Sequence, residues 1–150
     1  MGASGFLGWH VCKRPPKDWR LVGAYHGNPA GIYPKTEALQ LDLTNRDEVW
    51  RCFKSTNPDA VLHLAAASNP AHCEANPETA RLLNVEATTW LAAFCEERRC
   101  KLLFTSSSQV YDGGNAPFSE SPTPSPKNAY GRQKLEAEGL VAELLPSAAV

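Results

Sequence analysis

Three glycines at three-residue spacing near the start of the chain restrict its fold more than any other feature. They lie in the segment Gly2-Ala3-Ser4-Gly5-Phe6-Leu7-Gly8, which leads directly into an apolar run. Glycine lets the backbone turn tightly and approach an anion, and the free N–H groups at the start of a following helix attract negative charge. Such a loop normally connects a first strand to a first helix and binds a pyrophosphate. An ordinary glycine turn before a helix has the same spacing, so the segment alone does not decide between the two.

Strand and helix patterns alternate along the rest of the chain. Apolar spacing predicts helices over residues 6–13, 44–56, 77–98 and 130–145, and buried strands over 20–25, 38–42, 60–65 and 101–105, with another beginning at 148–150. This order predicts an α/β fold, a doubly wound, mostly parallel sheet of the Rossmann-like type. Because no strand precedes Gly2, we expect residues 1–150 to form one NAD(P)-binding domain that lacks its first strand and a C-terminal substrate region.

Composition excludes several classes of function. Fifteen basic and sixteen acidic side chains give a net charge of -1, so no general attraction to nucleic acid or anionic lipid is expected. No apolar run is long enough to span a membrane, and no secretion signal is present, which predicts a cytoplasmic protein. The five cysteines are scattered without metal-ligand spacing, and we interpret them as reduced, buried thiols. His72 and Cys73 are interpreted as loop residues rather than metal ligands, and His63 as a core histidine.

A phenol and an ammonium group lie four residues apart in Tyr130-Gly131-Arg132-Gln133-Lys134, hence on one helix face. A cation at this position is expected to lower the tyrosine pKa toward the range of a general acid or base. A solvated surface pair would have the same spacing. Ser106-Ser107-Ser108 follows a predicted strand at the sheet edge where ligands bind in open α/β folds, although three serines also suit a polar turn.

Ordered motifs along the whole chain resemble those of the extended short-chain dehydrogenases/reductases. They are the glycine loop, Asp42-Leu43, His63-Leu64-Ala65-Ala66, Asn84-Val85, Ser106-Ser107-Ser108-Gln109-Val110-Tyr111 and the Tyr130–Lys134 segment. The chain is similar to the N-terminal half of a member of the NAD-dependent epimerase/dehydratase superfamily. Tyr111-Asp112-Gly113, Ala116-Pro117-Phe118-Ser119-Glu120 and Pro126-Lys127-Asn128-Ala129-Tyr130 most resemble the dTDP-4-dehydrorhamnose reductase branch.

The resemblance implies a catalytic group of three residues. Tyr130 protonates the carbonyl oxygen as hydride arrives, Lys134 holds the nicotinamide ribose, and Ser107 hydrogen-bonds the same oxygen. Ser107 is preferred to Ser106 and Ser108 because it lies four residues before Tyr111, which is the family spacing.

The resemblance also implies the cofactor site. The glycine loop contacts the pyrophosphate, Asp42 and Leu43 line the adenine, and small residues after the third predicted strand pass beneath the cofactor. The full set is Gly2, Ser4, Gly5, Phe6, Leu7, Gly8, His26, Asp42, Leu43, Leu64, Ala65, Ala66, Tyr130 and Lys134.

Cofactor preference stays open between NAD and NADP. Tyr25-His26-Gly27-Asn28 carries no Asp or Glu to hold a ribose 2′-hydroxyl, which favours NADP slightly. No arginine replaces the acid, so His26 or Lys35 would have to contact a 2′-phosphate.

The activity implied is NAD(P)-dependent reduction of a nucleotide-activated 4-keto sugar. A nucleotide-sugar epimerase uses the same Ser, Tyr and Lys, and a non-catalytic nucleotide-binding regulatory subunit or an inactive fragment are further alternatives. A 4,6-dehydratase is disfavoured because Ser108 and Gln109 occupy the places of its Asp-Glu pair. The helices around Leu83–Phe94 and Tyr130 resemble dimer-forming elements, so a homodimer is plausible.

Overall fold

The computed structural model describes residues 1–114 and 123–150, so the segment Ala116-Pro117-Phe118-Ser119-Glu120 lies outside the described residues. The helices are Phe6–Lys13 (α1), Arg46–Thr56 (α2), Pro70–Ala75 (α3), Pro77–Arg81 (α4), Ala87–Arg98 (α5) and Ala129–Leu144 (α6). The strands are Val22–Tyr25 (β1), Glu37–Gln40 (β2), Ala60–His63 (β3) and Lys101–Phe104 (β4). Short 3₁₀ turns form at Pro29–Gly31 and Ser108–Val110, and a π-helical turn, Leu82–Glu86, connects α4 to α5.

Two parallel strand pairs, β1–β2 and β3–β4, are joined through the first residues of the chain. The Gly2 and Ala3 amides donate to the Ala24 carbonyl of β1 at 3.0 and 2.9 Å. On the other side, the Leu64 amide that follows β3 donates to the Met1 carbonyl at 3.2 Å. Residues 1–3 therefore lie between β1 and β3, giving the spatial order β2, β1, residues 1–3, β3, β4. This order confirms the predicted Rossmann-like, mostly parallel fold.

An additional parallel contact lies beyond β4. Leu103 forms an isolated bridge with Ala149, whose amide donates to the Leu102 carbonyl at 2.9 Å. The predicted strand at residues 148–150 is therefore present as one bridge.

Strand β2 ends earlier than its sequence predicts. Residues 38–42 were expected to be extended, whereas β2 covers Glu37–Gln40. The reason is local: the Asp42 carboxylate accepts hydrogen bonds from the Thr44 amide and hydroxyl at 2.8 and 2.7 Å, which turns the chain into α2. Asn45 then caps α2 by accepting from the Glu48 amide.

The long helix predicted over residues 77–98 is interrupted. It consists of α4, the π-helical turn and α5, because the turn brings the Asn84 side chain inward to the backbone of Ala67. The prediction that His72 and Cys73 are loop residues is wrong: Asn69 caps α3, Pro70 begins it, and both residues lie within it.

The main core lies between the sheet and helices α2, α5 and α6. Phe53, Leu91 and Phe104 are almost fully buried, and Trp50 packs against this cluster. His63 is fully buried on β3, which confirms it as a core histidine. All five cysteines are buried and free. In the part of the chain that the structure describes, no helix is long and apolar enough to cross a membrane.

Candidate functional site

The three glycines of the first loop differ in what a side chain at each position would contact. Gly2 has a φ of +82°, and a Cβ there would lie 2.9 Å from the Ala65 amide nitrogen. A Cβ on Gly8 would lie 2.1 Å from the Gly2 carbonyl oxygen, so α1 packs directly against the loop. A Cβ on Gly5 would meet the protein only at 3.4 Å. The fold itself therefore requires Gly2 and Gly8, whereas Gly5 leaves open space for an approaching ligand.

Gly5 is also the N-cap of α1 and supplies no side chain to cap it. The amides of the first helical turn, including those of Phe6 and Leu7, therefore have no side-chain acceptor from the cap. Unpaired amides at a helix start attract an anionic group. This end of α1 has the features of a phosphate-binding site.

A cavity of about 640 Å³ adjoins this loop and extends along the carboxyl ends of β1, β2 and β3. Every predicted cofactor residue outside α6 lines it: Gly2, Ser4, Gly5, Phe6, Leu7, Gly8, His26, Asp42, Leu43, Leu64, Ala65 and Ala66. The structure therefore brings together residues that are up to 64 positions apart in sequence, from Gly2 to Ala66. Phe6 is 85% exposed although it lines the cavity.

Several lining residues were not predicted from sequence: Thr44, Ser68, His72, Thr79 and Leu83. Thr44 and Ser68 follow shortly after strands, so the rule that ligands bind at carboxyl ends could have indicated them. The other three lie on α3, α4 and the π-helical turn. No local pattern indicates that these elements close one side of the cavity.

Asp42 retains an acceptor oxygen toward this region. Its Oδ1 accepts from Thr44, and its Oδ2 lies 3.9 Å from Nε2 of the exposed His26. The hydrogen bonds from the Thr44 hydroxyl and amide lower the pKa of Asp42, with a smaller contribution from His26. The carboxylate thus stays ionised at neutral pH and acts as a hydrogen-bond acceptor.

Tyr130, Lys134 and Ser107 form a second cluster at the carboxyl end of β4. Tyr130 is 8% exposed and Lys134 is 2% exposed, so they are not a solvated surface pair. Ser107 lies beside the Tyr130 phenol, where it acts to lower the tyrosine pKa. Lys134 Nζ donates to the Thr105 carbonyl at 2.8 Å and lies 4.3 Å from the centre of the Phe104 ring.

The expected effect of Lys134 on Tyr130 is not found. Burial raises the pKa of Tyr130, and the neighbouring Ser107 side chain opposes that shift only in part. Lys134 Nζ lies 6.0 Å from the Tyr130 ring centre and is directed to the Thr105 carbonyl instead. Burial also lowers the pKa of Lys134 to about 8, against the effect of Glu138. The Tyr130 phenol is therefore protonated at neutral pH.

Helix α6 is held in place at its start by side chains from two other segments. Asn128 caps it by accepting from the Gly131 amide at 2.8 Å, and the Glu74 carboxylate accepts from the Ala129 amide at 2.6 Å. A Cβ on Gly131 would lie 2.1 Å from the Gln109 carbonyl oxygen, so this glycine lets α6 approach the segment containing Ser107. Tyr130 is thereby fixed beside the serines.

A buried amide pair links α6 to the loop after β3. The Asn84 side-chain oxygen accepts from the Ala67 backbone amide at 2.8 Å. Its Nδ2 donates to the Ala67 carbonyl at 3.2 Å and to Gln133 Oε1 at 2.8 Å. Ala66 and Ala67, which line the cavity, pack against the apolar cluster that contains Tyr130. The cavity and the Tyr130 cluster thus share a wall. Sequence spacing gave no indication of the contact between Asn84 and Gln133.

Residues 1–114 and 123–150 contain no group of three His, Cys, Asp or Glu side chains arranged to hold a metal ion.

Comparison with protein families gives one match over the whole chain. The family model described as the RmlD substrate binding domain matches residues 1–150. The β subunit of methionine adenosyltransferase 2 from Danio rerio is 34% identical over 150 residues, covering 99% of this chain and 44% of the relative. The probable low-salt glycan biosynthesis reductase Agl14 from Haloferax volcanii is 33% identical over 152 residues, covering 99% of this chain and 50% of the relative. The chain spans about half the length of these relatives.

Solved structures match the fold equally broadly. A hypothetical dTDP-4-dehydrorhamnose reductase from Sulfolobus tokodaii superposes with a TM-score of 0.85 at 25% identity, covering 93% of this chain and 50% of that protein. A UDP-glucose 4-epimerase from Brucella ovis, in complex with NAD, superposes with a TM-score of 0.84 at 26% identity, covering 95% of this chain and 45% of that protein. A dTDP-4-dehydrorhamnose reductase from Bacillus anthracis, in complex with NADP, superposes with a TM-score of 0.79 at 24% identity, covering 98% of this chain and 49% of that protein.

Proposed function

Because this chain belongs to the RmlD substrate binding domain family of extended short-chain dehydrogenases/reductases, we propose that it reduces a nucleotide-activated 4-keto sugar with a nicotinamide cofactor. One observation carries the proposal. A buried, protonated Tyr130, with Ser107 beside its phenol and Lys134 one turn later on the same helix, lies beside a cavity whose rim is the glycine loop. A proton donor next to a dinucleotide-sized cavity is what ketone reduction requires.

The residues present fit a dinucleotide. Gly5 leaves room for close backbone approach, and the start of α1 offers amides to a pyrophosphate. The ionised Asp42 carboxylate suits the amino group of an adenine. We propose residues 1–150 as the NAD(P)-binding domain. NADP is slightly favoured because the chain carries His26 where an acidic residue would hold a 2′-hydroxyl.

The nicotinamide, when bound, supplies the hydride. The chain then has to stabilise the negative charge that develops on the ketone oxygen and to provide a proton. Ser107 and Tyr130 offer two hydroxyl donors to one oxygen, and Tyr130 transfers its proton. Burial favours the neutral phenol, which keeps that proton available at neutral pH. Lys134 contributes a donor for the nicotinamide ribose.

Two alternatives are retained on specific observations. The solved epimerase is as similar in fold and identity as the reductase, and an epimerase would use the same three side chains. The relative from Danio rerio is named as a subunit, which favours a nucleotide-binding role within a larger enzyme. A dehydratase is disfavoured, because the Gln109 side chain accepts from Asn128 and Ser108 is exposed.

The test is turnover with dTDP-4-dehydrorhamnose in the presence of NADPH or NADH, followed at 340 nm. We expect loss of reduced cofactor together with alcohol product, and a decrease of about 100-fold or more in Tyr130→Phe. Tyr33→Phe, which keeps the ring that packs on Trp9, serves as the matched control and should retain the rate. Interconversion of UDP-glucose and its 4-epimer without net cofactor loss would identify an epimerase. Cofactor binding without any turnover would favour a non-catalytic regulatory subunit or an inactive fragment over a reductase.

A further inference from the structure

One face of α6 contacts three successive residues after β4. Tyr130, Lys134 and Glu138 are four residues apart and therefore lie along the same side of the helix. The Tyr130 phenol lies beside Ser107, and Lys134 Nζ donates to the Thr105 carbonyl at 2.8 Å. Glu138 completes the series, since its carboxylate accepts a hydrogen bond from the hydroxyl of the intervening residue, Ser106.

The Ser106 contact fixes the register of this segment on the helix. Ser106 lies between the residue that accepts from Lys134 and the residue that pairs with Tyr130. A hydrogen bond to a charged group is stronger than a neutral one. The bond to Glu138 therefore anchors the backbone that presents the Ser107 hydroxyl to Tyr130.

The charge around Lys134 gives Glu138 a second role. Lys134 is almost fully buried, and burial lowers its pKa to about 8. The other titratable groups nearby are Tyr130 on the same helix, Cys73 of α3 beside Tyr130, and His63 on β3. His63 has a pKa well below its usual value, through burial first and then through the positive charges of the N-terminus and Lys134, so it stays neutral. The Glu138 carboxylate is the group that acts in the opposite direction and raises the pKa of Lys134.

We propose that Glu138 is a positioning residue of the reduction site: it anchors Ser106, and with it Ser107, to α6, and it balances the charge of the buried Lys134 ammonium. The designation of the site as a reduction site rests on the proposed function, whereas the contacts of Glu138 do not. A purely structural role would need the hydrogen bond to Ser106 but not the charge. The two roles are therefore separable by substitution.

Glu138→Gln keeps an acceptor oxygen for the Ser106 hydroxyl and removes the charge. Ser106→Ala removes the hydrogen bond and keeps the charge. Glu138→Met is a second charge-free variant whose flexible side chain suits the half-buried position. Glu143→Gln, at an exposed position on the same helix, is the matched control for loss of one negative charge.

The measurement is an NMR titration of the Lys134 side chain in the free 150-residue chain, with folding of each variant checked by circular dichroism. We expect the midpoint to fall by about 1 pH unit in Glu138→Gln or Glu138→Met. It should remain at the wild-type value in Ser106→Ala and Glu143→Gln. A wild-type midpoint in both charge-free variants, or an equal shift in the Glu143 control, would overturn the proposal.

A second readout tests the anchoring role. Exchange of the Val110 backbone amide, which donates to the Ser107 carbonyl at 3.2 Å, should accelerate at least several-fold in Ser106→Ala and remain near wild type in Glu138→Gln. An unchanged exchange rate in Ser106→Ala would contradict the anchor. Neither measurement uses a cofactor or substrate, so failure of the proposed reduction would appear as absent turnover while these titrations still report on Glu138.

Discussion

Replacing Lys134 by methionine is expected to stabilise the protein at neutral pH. The side chain is 2% exposed, and its ammonium has the Thr105 carbonyl as hydrogen-bond partner at 2.8 Å and the Phe104 ring at 4.3 Å. Methionine has a similar length and fills the same space without a charge. Removal of a buried charge often stabilises a fold when an apolar side chain of similar volume replaces it.

The magnitude follows from the change in pKa between the unfolded and the folded chain. The pKa of Lys134 falls from 10.5 to about 8 on folding. At about 1.4 kcal/mol per pH unit, the charged lysine costs about 3 kcal/mol below pH 8. Loss of the bond to Thr105 offsets about 1 kcal/mol of this gain. The variant should therefore be about 2 kcal/mol more stable at pH 7.

The difference must depend on pH in one direction. Between pH 8 and 10.5 the unfolded chain binds the lysine proton and the folded chain does not, so wild-type stability rises with pH relative to the variant. The advantage of Lys134→Met should therefore decrease through this window and be lost before its upper end. Urea unfolding of both proteins, followed by tryptophan fluorescence at pH 7 and pH 10, measures this difference in the free energy of unfolding. Other groups that titrate in this range are present in both proteins.

Lys17→Met is the control, since Lys17 lies in the exposed loop between α1 and β1. It should change the free energy of unfolding by no more than about 0.5 kcal/mol. A Lys134→Met protein that is less stable than wild type at pH 7, or whose advantage does not decrease at pH 10, would refute the argument from burial. The same variant should lose the proposed reduction, so stability and function oppose each other at this position.

Two further predictions use the same unfolding assay. On α6, Gly131→Ala should lower the free energy of unfolding by more than about 3 kcal/mol, because its Cβ would overlap the Gln109 carbonyl oxygen. Gly139→Ala should raise it by roughly 0.5–1 kcal/mol, because that Cβ meets no atom within 4 Å and alanine favours the helix. His63→Leu should reduce the acid sensitivity of the protein: the pKa of His63 is well below 6.5 when folded, so wild-type stability falls by up to about 1.4 kcal/mol per pH unit below pH 6.5, and this contribution disappears in the variant.

Equal effects of the two alanine substitutions would show that α6 does not approach Gln109 as described. An unchanged slope of stability against pH between 6.5 and 5 in His63→Leu would show that His63 becomes protonated within the fold.

The sequence predicted the fold because the fold follows from local patterns. Glycine spacing, buried apolar runs and residues directly after strands place Gly2, Asp42 and Ala65 at one edge of a parallel sheet. That this edge holds a nicotinamide cofactor is implied by the family resemblance and stays a prediction. Short strands and the interrupted helix were less predictable, since side chains such as Asn84 change the local backbone by bonding to distant loops.

The pKa shifts of Tyr130 and Lys134 could not be predicted from their spacing. A four-residue separation places Tyr130 and Lys134 on one face, but it does not determine where the lysine is directed. Burial raises the pKa of Tyr130 and lowers that of Lys134, and both effects depend on packing against β3 and β4. The contact between Glu138 and Ser106 likewise exists only because α6 and the segment after β4 meet in the folded chain.

Calorimetric titration of the folded chain with NADPH and NADH tests the central claim most directly. The wild-type chain should bind at least one of them saturably, and Gly5→Val should weaken that binding at least 10-fold, because the added side chain occupies space that the protein itself leaves open. Gly139→Val, the matched control, should bind like wild type. No binding by the folded wild-type chain, or equal binding by Gly5→Val, would contradict the assignment of this loop and cavity to a nicotinamide dinucleotide.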